Sequence, residues 1–76
     1  MNEDLFTLLT RDLKLPEDRL TPEASLDDAG FDSLAIVELS VLLTEQLGVE
    51  VTDTEIKDAG TLTALDNLVA QKRTGR

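Results

Sequence analysis

The stretch that decides the fold is Gly30-Phe31-Asp32-Ser33-Leu34-Ala35-Ile36-Val37-Glu38-Leu39-Ser40-Val41-Leu42-Leu43-Thr44-Glu45-Gln46-Leu47-Gly48. Between its two glycines it contains no Gly or Pro. Asp32 is a preferred N-cap, because its carboxylate accepts from free first-turn N–H groups. Gly48 suits the left-handed position just past a helix end. The pattern therefore predicts a helix that starts at Asp32 and runs to Leu47. At about 100° per residue from Leu34, the residues Ile36, Leu39, Leu43 and Leu47 gather near 140–220°. Leu34, Val37 and Val41 fall on the opposite side, and Glu38 and Glu45 share that side. A helix in a minimal bundle buries one face, and unpaired Glu is rarely buried. The reading is a buried Ile36–Leu39–Leu43–Leu47 stripe and an exposed docking strip of Leu34, Val37 and Val41 flanked by carboxylates. A central helix packed from both sides would instead bury both sets. Leu42 lies between the two faces.

Working outward, Leu5, Phe6, Leu9 and Leu13 share one face of an N-terminal helix, with Leu8 at its edge and Asn2 as cap. Pro16 stops that helix and pushes Leu15 toward extended geometry. The long connection from Pro16 to Asp32 carries Leu20, Leu26, Ala29 and Phe31, so it reads as an ordered loop pinned to the core. Thr52 and Glu55 have capping-box spacing and introduce a short helix ending before Gly60. Thr61 or Thr63 caps a last helix with the inner stripe Leu62, Leu65, Leu68 and Val69. Residues 70–76 form a basic tail that reads as a frayed end. No segment demands a strand. The expected fold is all-α, a small bundle of three main helices plus one short helix, in one domain spanning 1–76.

Composition narrows the function. Sixteen acids against seven bases in 76 residues give a formal net charge of −9. That balance argues against nucleic acid and against anionic membrane surfaces, and it favours basic protein partners reached by long-range attraction. No apolar run approaches the roughly 18 residues of a membrane span. The opening Met-Asn-Glu-Asp lacks a basic n-region, so no signal peptide is expected and the expected compartment is the cytoplasm. Cys, His, Trp and Tyr are all absent. An enzyme near neutral pH usually leans on imidazole or thiolate, so no enzyme is expected. The acids match no calcium loop, because starts at Asp27, Asp28 and Asp53 all fail the required ligand pattern, and no metal site is expected.

Ser33 stands at the predicted helix start, at the mouth of the long loop and at the positive end of the helix dipole. A phosphodiester attached there would be favoured by free N–H groups and the dipole. Ser33 has no His to act as base. Position 36 is Ile, so no Ser-x-x-Lys pair activates it either. If this hydroxyl carries chemistry, another protein must perform it, and Ser33 is then a modification site.

Asp28-Ala29-Gly30-Phe31-Asp32-Ser33-Leu34, followed by Ala35-Ile36-Val37-Glu38-Leu39, resembles the acyl carrier proteins, and the likeness extends over roughly Leu5 to Val69. The resemblance implies that Ser33 receives a 4′-phosphopantetheine arm from coenzyme A, placed there by a phosphopantetheinyl transferase with its own Mg²⁺. The arm's thiol would hold acyl groups as thioesters, supplying the thiol that the chain lacks. The resemblance further implies docking of acyl-loading and condensing enzymes, through basic patches, on Asp32, Leu34, Val37, Glu38, Val41 and Glu45. It implies a monomer. Ala35 stands where fatty-acid members usually carry Asp, and Thr44 replaces a common acid. The motif looks more like the free-standing carriers of bacterial polyketide or related secondary metabolism, with fatty-acid synthesis as the alternative. A different class, an acidic helical interaction module without an arm, shares every feature except the Ser33 context.

Overall fold

In the computed structural model, which describes residues 3–74, helix α1 spans Glu3–Thr7 and continues into a wider π turn over Leu8–Asp12. The Asn2 cap lies outside the described residues. Leu5, Leu8 and Leu9 are buried, and Phe6 and Leu13 pack partly buried against them. The helix ends through Lys14, which takes φ 57°. The Leu13 N–H donates to the Leu8 carbonyl at 3.0 Å and the Leu15 N–H to the Leu9 carbonyl at 2.9 Å. That reversal sends Leu15 into the core, and Pro16 then carries the chain away in extended geometry.

The long connection is ordered and contains a helix that hydrophobic periodicity did not reveal. After a 3₁₀ turn at Glu17–Arg19, helix α2 spans Leu26–Ala29. Four residues are too few to show a period. The overlooked local signal is Ser25, whose hydroxyl accepts from the Asp28 N–H at 3.1 Å. Gly30, at φ 101°, closes α2. Its N–H reaches the Asp27 carbonyl and the Phe31 N–H reaches the Leu26 carbonyl, the paired bonds of a Schellman ending. This turn drives Phe31 inward. Leu20, Leu26, Ala29 and Phe31 are all buried, as the apolar content of the connection predicts.

Helix α3 spans Ser33–Leu42 and runs on as a π turn over Leu43–Leu47, with Gly48 in the left-handed region at φ 66°. Helix α4 spans Asp53–Ala59 behind a complete Thr52–Glu55 capping box, and it stops at Gly60. Helix α5 spans Leu62–Thr74, and the Thr61 hydroxyl accepts from the Ala64 N–H at 3.2 Å. Of the two candidate caps, Thr61 fills the role. Thr63 instead donates its hydroxyl and its N–H to the Pro22 carbonyl. Together with the Leu26–Gly60 and Leu62–Ala24 backbone bonds, that stitches the long connection to the α4–α5 junction.

The core joins all of these elements. Leu5, Leu9, Leu39, Leu43, Ile56 and Leu65 have no solvent exposure. Each such side chain contributes about 1.5–3 kcal/mol of burial. Leu47 and Leu68, placed by periodicity on inner stripes, sit only partly buried at the margin.

One sequence reading is corrected. Residues 70–76 read as a frayed tail, yet α5 stays helical through Thr74. Lys72 pairs with Glu55 of α4 at 2.9 Å, and Arg73 meets Asp4 of α1 at 3.3 Å. Cations in a last turn also complement the helix dipole. Gly75 and Arg76 lie outside the described residues.

Candidate functional site

The site is built at the junction of α2 and α3. Gly30 ends one helix and Asp32 begins the next, so only Phe31 separates the two caps. With Phe31 anchored in the core, the start of α3 is held in place from below. The Asp32 carboxylate accepts from the Ala35 N–H at 2.7 Å, a short charge-assisted cap. Ser33 is the first residue of α3 and is exposed. The first N–H groups of a helix have no carbonyl partner one turn earlier, so Ser33 sits at a positive helix end. An exposed hydroxyl there fits a phosphodiester on both steric and electrostatic grounds.

Beyond Ser33, α3 is apolar nearly all the way round. The wet side is the one that the glutamates mark in the sequence. Ile36 is 8% exposed, and Leu39 and Leu43 are fully buried. Leu34 is 65% exposed, Val37 47% and Val41 50%. Two-sided burial is therefore excluded, and the aliphatic strip faces solvent. Asp32, Glu38 and Glu45 are exposed as well.

These residues are not all gathered at one spot. Val37, Glu38 and Val41 line a shallow groove with Leu42 and with Asp12, the last residue of the π turn that follows α1. Asp32 and Leu34 stand beside Ser33 at the helix start, and Glu45 stands in the widened turn beyond Leu42. The sequence reading missed Asp12, because nothing local connects it to α3. Gln46 makes that connection, donating its side-chain amide to the Asp12 carboxylate at 3.0 Å.

The opposite flank of α3 is tied down. The Ser40 hydroxyl donates to the Val51 carbonyl, and the Thr44 hydroxyl contacts the carbonyls of Ser40 at 3.2 Å and Val49 at 3.3 Å. Thr44, noted in the sequence as replacing an acid, thus fastens α3 to the segment leading into α4.

The fold thus sets an exposed serine at a helix start, beside an acidic and aliphatic strip. Residues 3–69 match the family described as "Phosphopantetheine attachment site", and the chain belongs to the acyl carrier proteins. Such proteins carry cargo and are not catalysts, and the cofactor is phosphopantetheine. The chain is 36% identical over 69 residues to the acyl carrier protein MbtL of Mycobacterium tuberculosis, covering 90% of this chain and 82% of that protein. It is 38% identical over 56 residues to an acyl carrier protein of Thermobifida fusca, covering 72% of this chain and 71% of that one. It is also 37% identical over 71 residues to the PKS-NRPS hybrid synthetase cheA of Chaetomium globosum, covering 92% of this chain and 2% of the synthetase. Among the described residues, no helix is long and apolar enough to cross a membrane.

Proposed function

We propose that Ser33 is the residue that carries the 4′-phosphopantetheine arm. The observation that carries this reading is its place: it is exposed, it opens α3, and it directly follows the Asp32 cap. A phosphopantetheinyl transferase moves the phosphopantetheinyl group of coenzyme A onto the Ser33 oxygen. The serine gives up its proton, and the nucleotide half of coenzyme A leaves as the bisphosphate. The arm's thiol then holds acyl intermediates as thioesters and presents them to acyl-loading and condensing enzymes. Those partners dock through basic patches on Asp32, Leu34, Val37, Glu38, Val41 and Glu45. The single carrier unit spans 1–76 and works as a monomer in the cytoplasm. The cargo belongs to bacterial polyketide or related secondary metabolism, a reading supported by Ala35 after Ser33-Leu34 and by the likeness to a PKS-NRPS hybrid synthetase.

Mass spectrometry tests the assignment. Incubation with coenzyme A, Mg²⁺ and a broad-specificity transferase should add one phosphopantetheine, and Ser33→Ala should abolish the gain. An unmodified wild-type chain with several transferases would remove the assignment and restore the plain interaction module. Glu38→Lys and Glu45→Lys should slow the modification without unfolding the domain.

A further inference from the structure

The groove on the solvent side of α3 has a wall that α3 does not supply. Its floor is aliphatic, from Val37, Val41 and Leu42, and it carries two carboxylates, Glu38 of α3 and Asp12 from the end of the first helical segment. Asp12 is held rather than free to swing, because the Gln46 side chain bonds it from the widened end of the same long helix. Val37 and Val41 lie about 6 and 12 Å along the helix axis from Ser33, roughly on its side of the helix. Any enzyme that reaches the Ser33 hydroxyl and lies along α3 meets this groove.

We infer that the transferase-facing surface extends off α3 onto Asp12, and that the groove takes an apolar side chain of the enzyme next to an arginine or lysine. The inference rests on the assignment of Ser33 above and adds the identity of the second wall. Charge complementarity selects the occupant. Two carboxylates over an aliphatic floor, on a chain of net charge −9, disfavour an acidic or purely apolar visitor. A cation flanking an apolar group satisfies both parts of the groove. A second copy of this chain would bring like charge to the same place and is disfavoured for that reason.

The test uses the transferase with coenzyme A and Mg²⁺ as the probe and reads kcat/KM for the carrier. Asp12→Asn keeps size and an acceptor for Gln46 while removing the charge. Asp12→Lys reverses the charge, and Asp18→Lys makes the same change of net charge on the 3₁₀ turn as a control for steering. The expected result is a fall of about threefold for Asp12→Asn and about tenfold for Asp12→Lys, carried by KM, with Asp18→Lys near wild type. Thermal melts check that each variant stays folded. If Asp12→Lys matches Asp18→Lys while Glu38→Lys is impaired, the docking surface stops at α3 and the inference is overturned. If the wild-type chain is not modified at all, the Ser33 assignment fails and the inference falls with it.

Discussion

The Asp32 carboxylate lies 2.7 Å from the Ala35 N–H and thereby caps the helix whose first residue is Ser33. One side chain thus both secures the helix start and sets a negative charge beside the serine. The two roles separate by substitution. Asp32→Ala should cost about 0.5–2 kcal/mol in urea denaturation, through loss of the cap. Asp32→Asn keeps a capping oxygen and should cost only a few tenths, yet it should still slow transferase modification. Equal stability losses for the two variants would show that charge, not capping, dominates at this position.

The buried and exposed faces of α3 should differ sharply in energetic weight. Leu39→Ala or Leu43→Ala empties a fully buried site and should cost about 2–5 kcal/mol. In a domain of this size that is enough to leave much of the population unfolded. Val41→Ala removes a half-exposed side chain and should stay within about 0.5 kcal/mol. Denaturation midpoints of the three variants decide this, and similar losses would contradict the one-sided burial.

The Lys72 ammonium bonds the Glu55 carboxylate at 2.9 Å, and the Thr52 N–H donates to the same group. In that order of importance, they hold the Glu55 carboxyl below the usual carboxylate range. A depressed folded-state value means that the stabilisation is fully present above the unfolded-state value. It is lost as pH falls through the folded one. Glu55→Gln should therefore be less stable than the parent at pH 7. The gap should close in acid, once Glu55 is protonated in both states. Paired denaturation curves from pH 7 to pH 2 test this, and a constant gap would refute it. Added salt should shrink the gap at neutral pH, because both partners are partly exposed.

Lys14 and Gly48 hold equivalent posts at the ends of two widened helices, at φ 57° and 66°. A side chain in the left-handed region costs about 1–2 kcal/mol that glycine avoids. Lys14→Gly should therefore raise stability by up to about 1 kcal/mol, and Gly48→Ala should lower it by about the same amount. Opposite signs in urea denaturation confirm the shared geometry. A loss for Lys14→Gly would mean that the lysine stem packs against something of greater value than the strain.

Local chemistry in the sequence determined the helix boundaries on both sides of the site. Asp32, Thr52 with Glu55, Gly48 and Gly60 each act on backbone groups within a few residues, so their effects survive without knowledge of the fold; the first helix instead ends ahead of Pro16, through Lys14 in the left-handed region. The inner stripe Ile36–Leu39–Leu43 followed from helical period, and Ser33 followed from its place behind a cap. Tertiary structure alone decided the rest. What packing added on α3 is the exclusion of two-sided burial: Glu38 and Glu45 already marked the wet side, and Leu34, Val37 and Val41 stay exposed once the core is assembled. Helix α2 is too short for a period; its Ser25 cap and Gly30 ending are local, and packing adds the seating of Leu26 and Phe31 in the core. The tail stays helical because Glu55 and Asp4, far away in sequence, supply partners for Lys72 and Arg73. Asp12 joins the groove only because the fold brings the end of the first helical segment against α3.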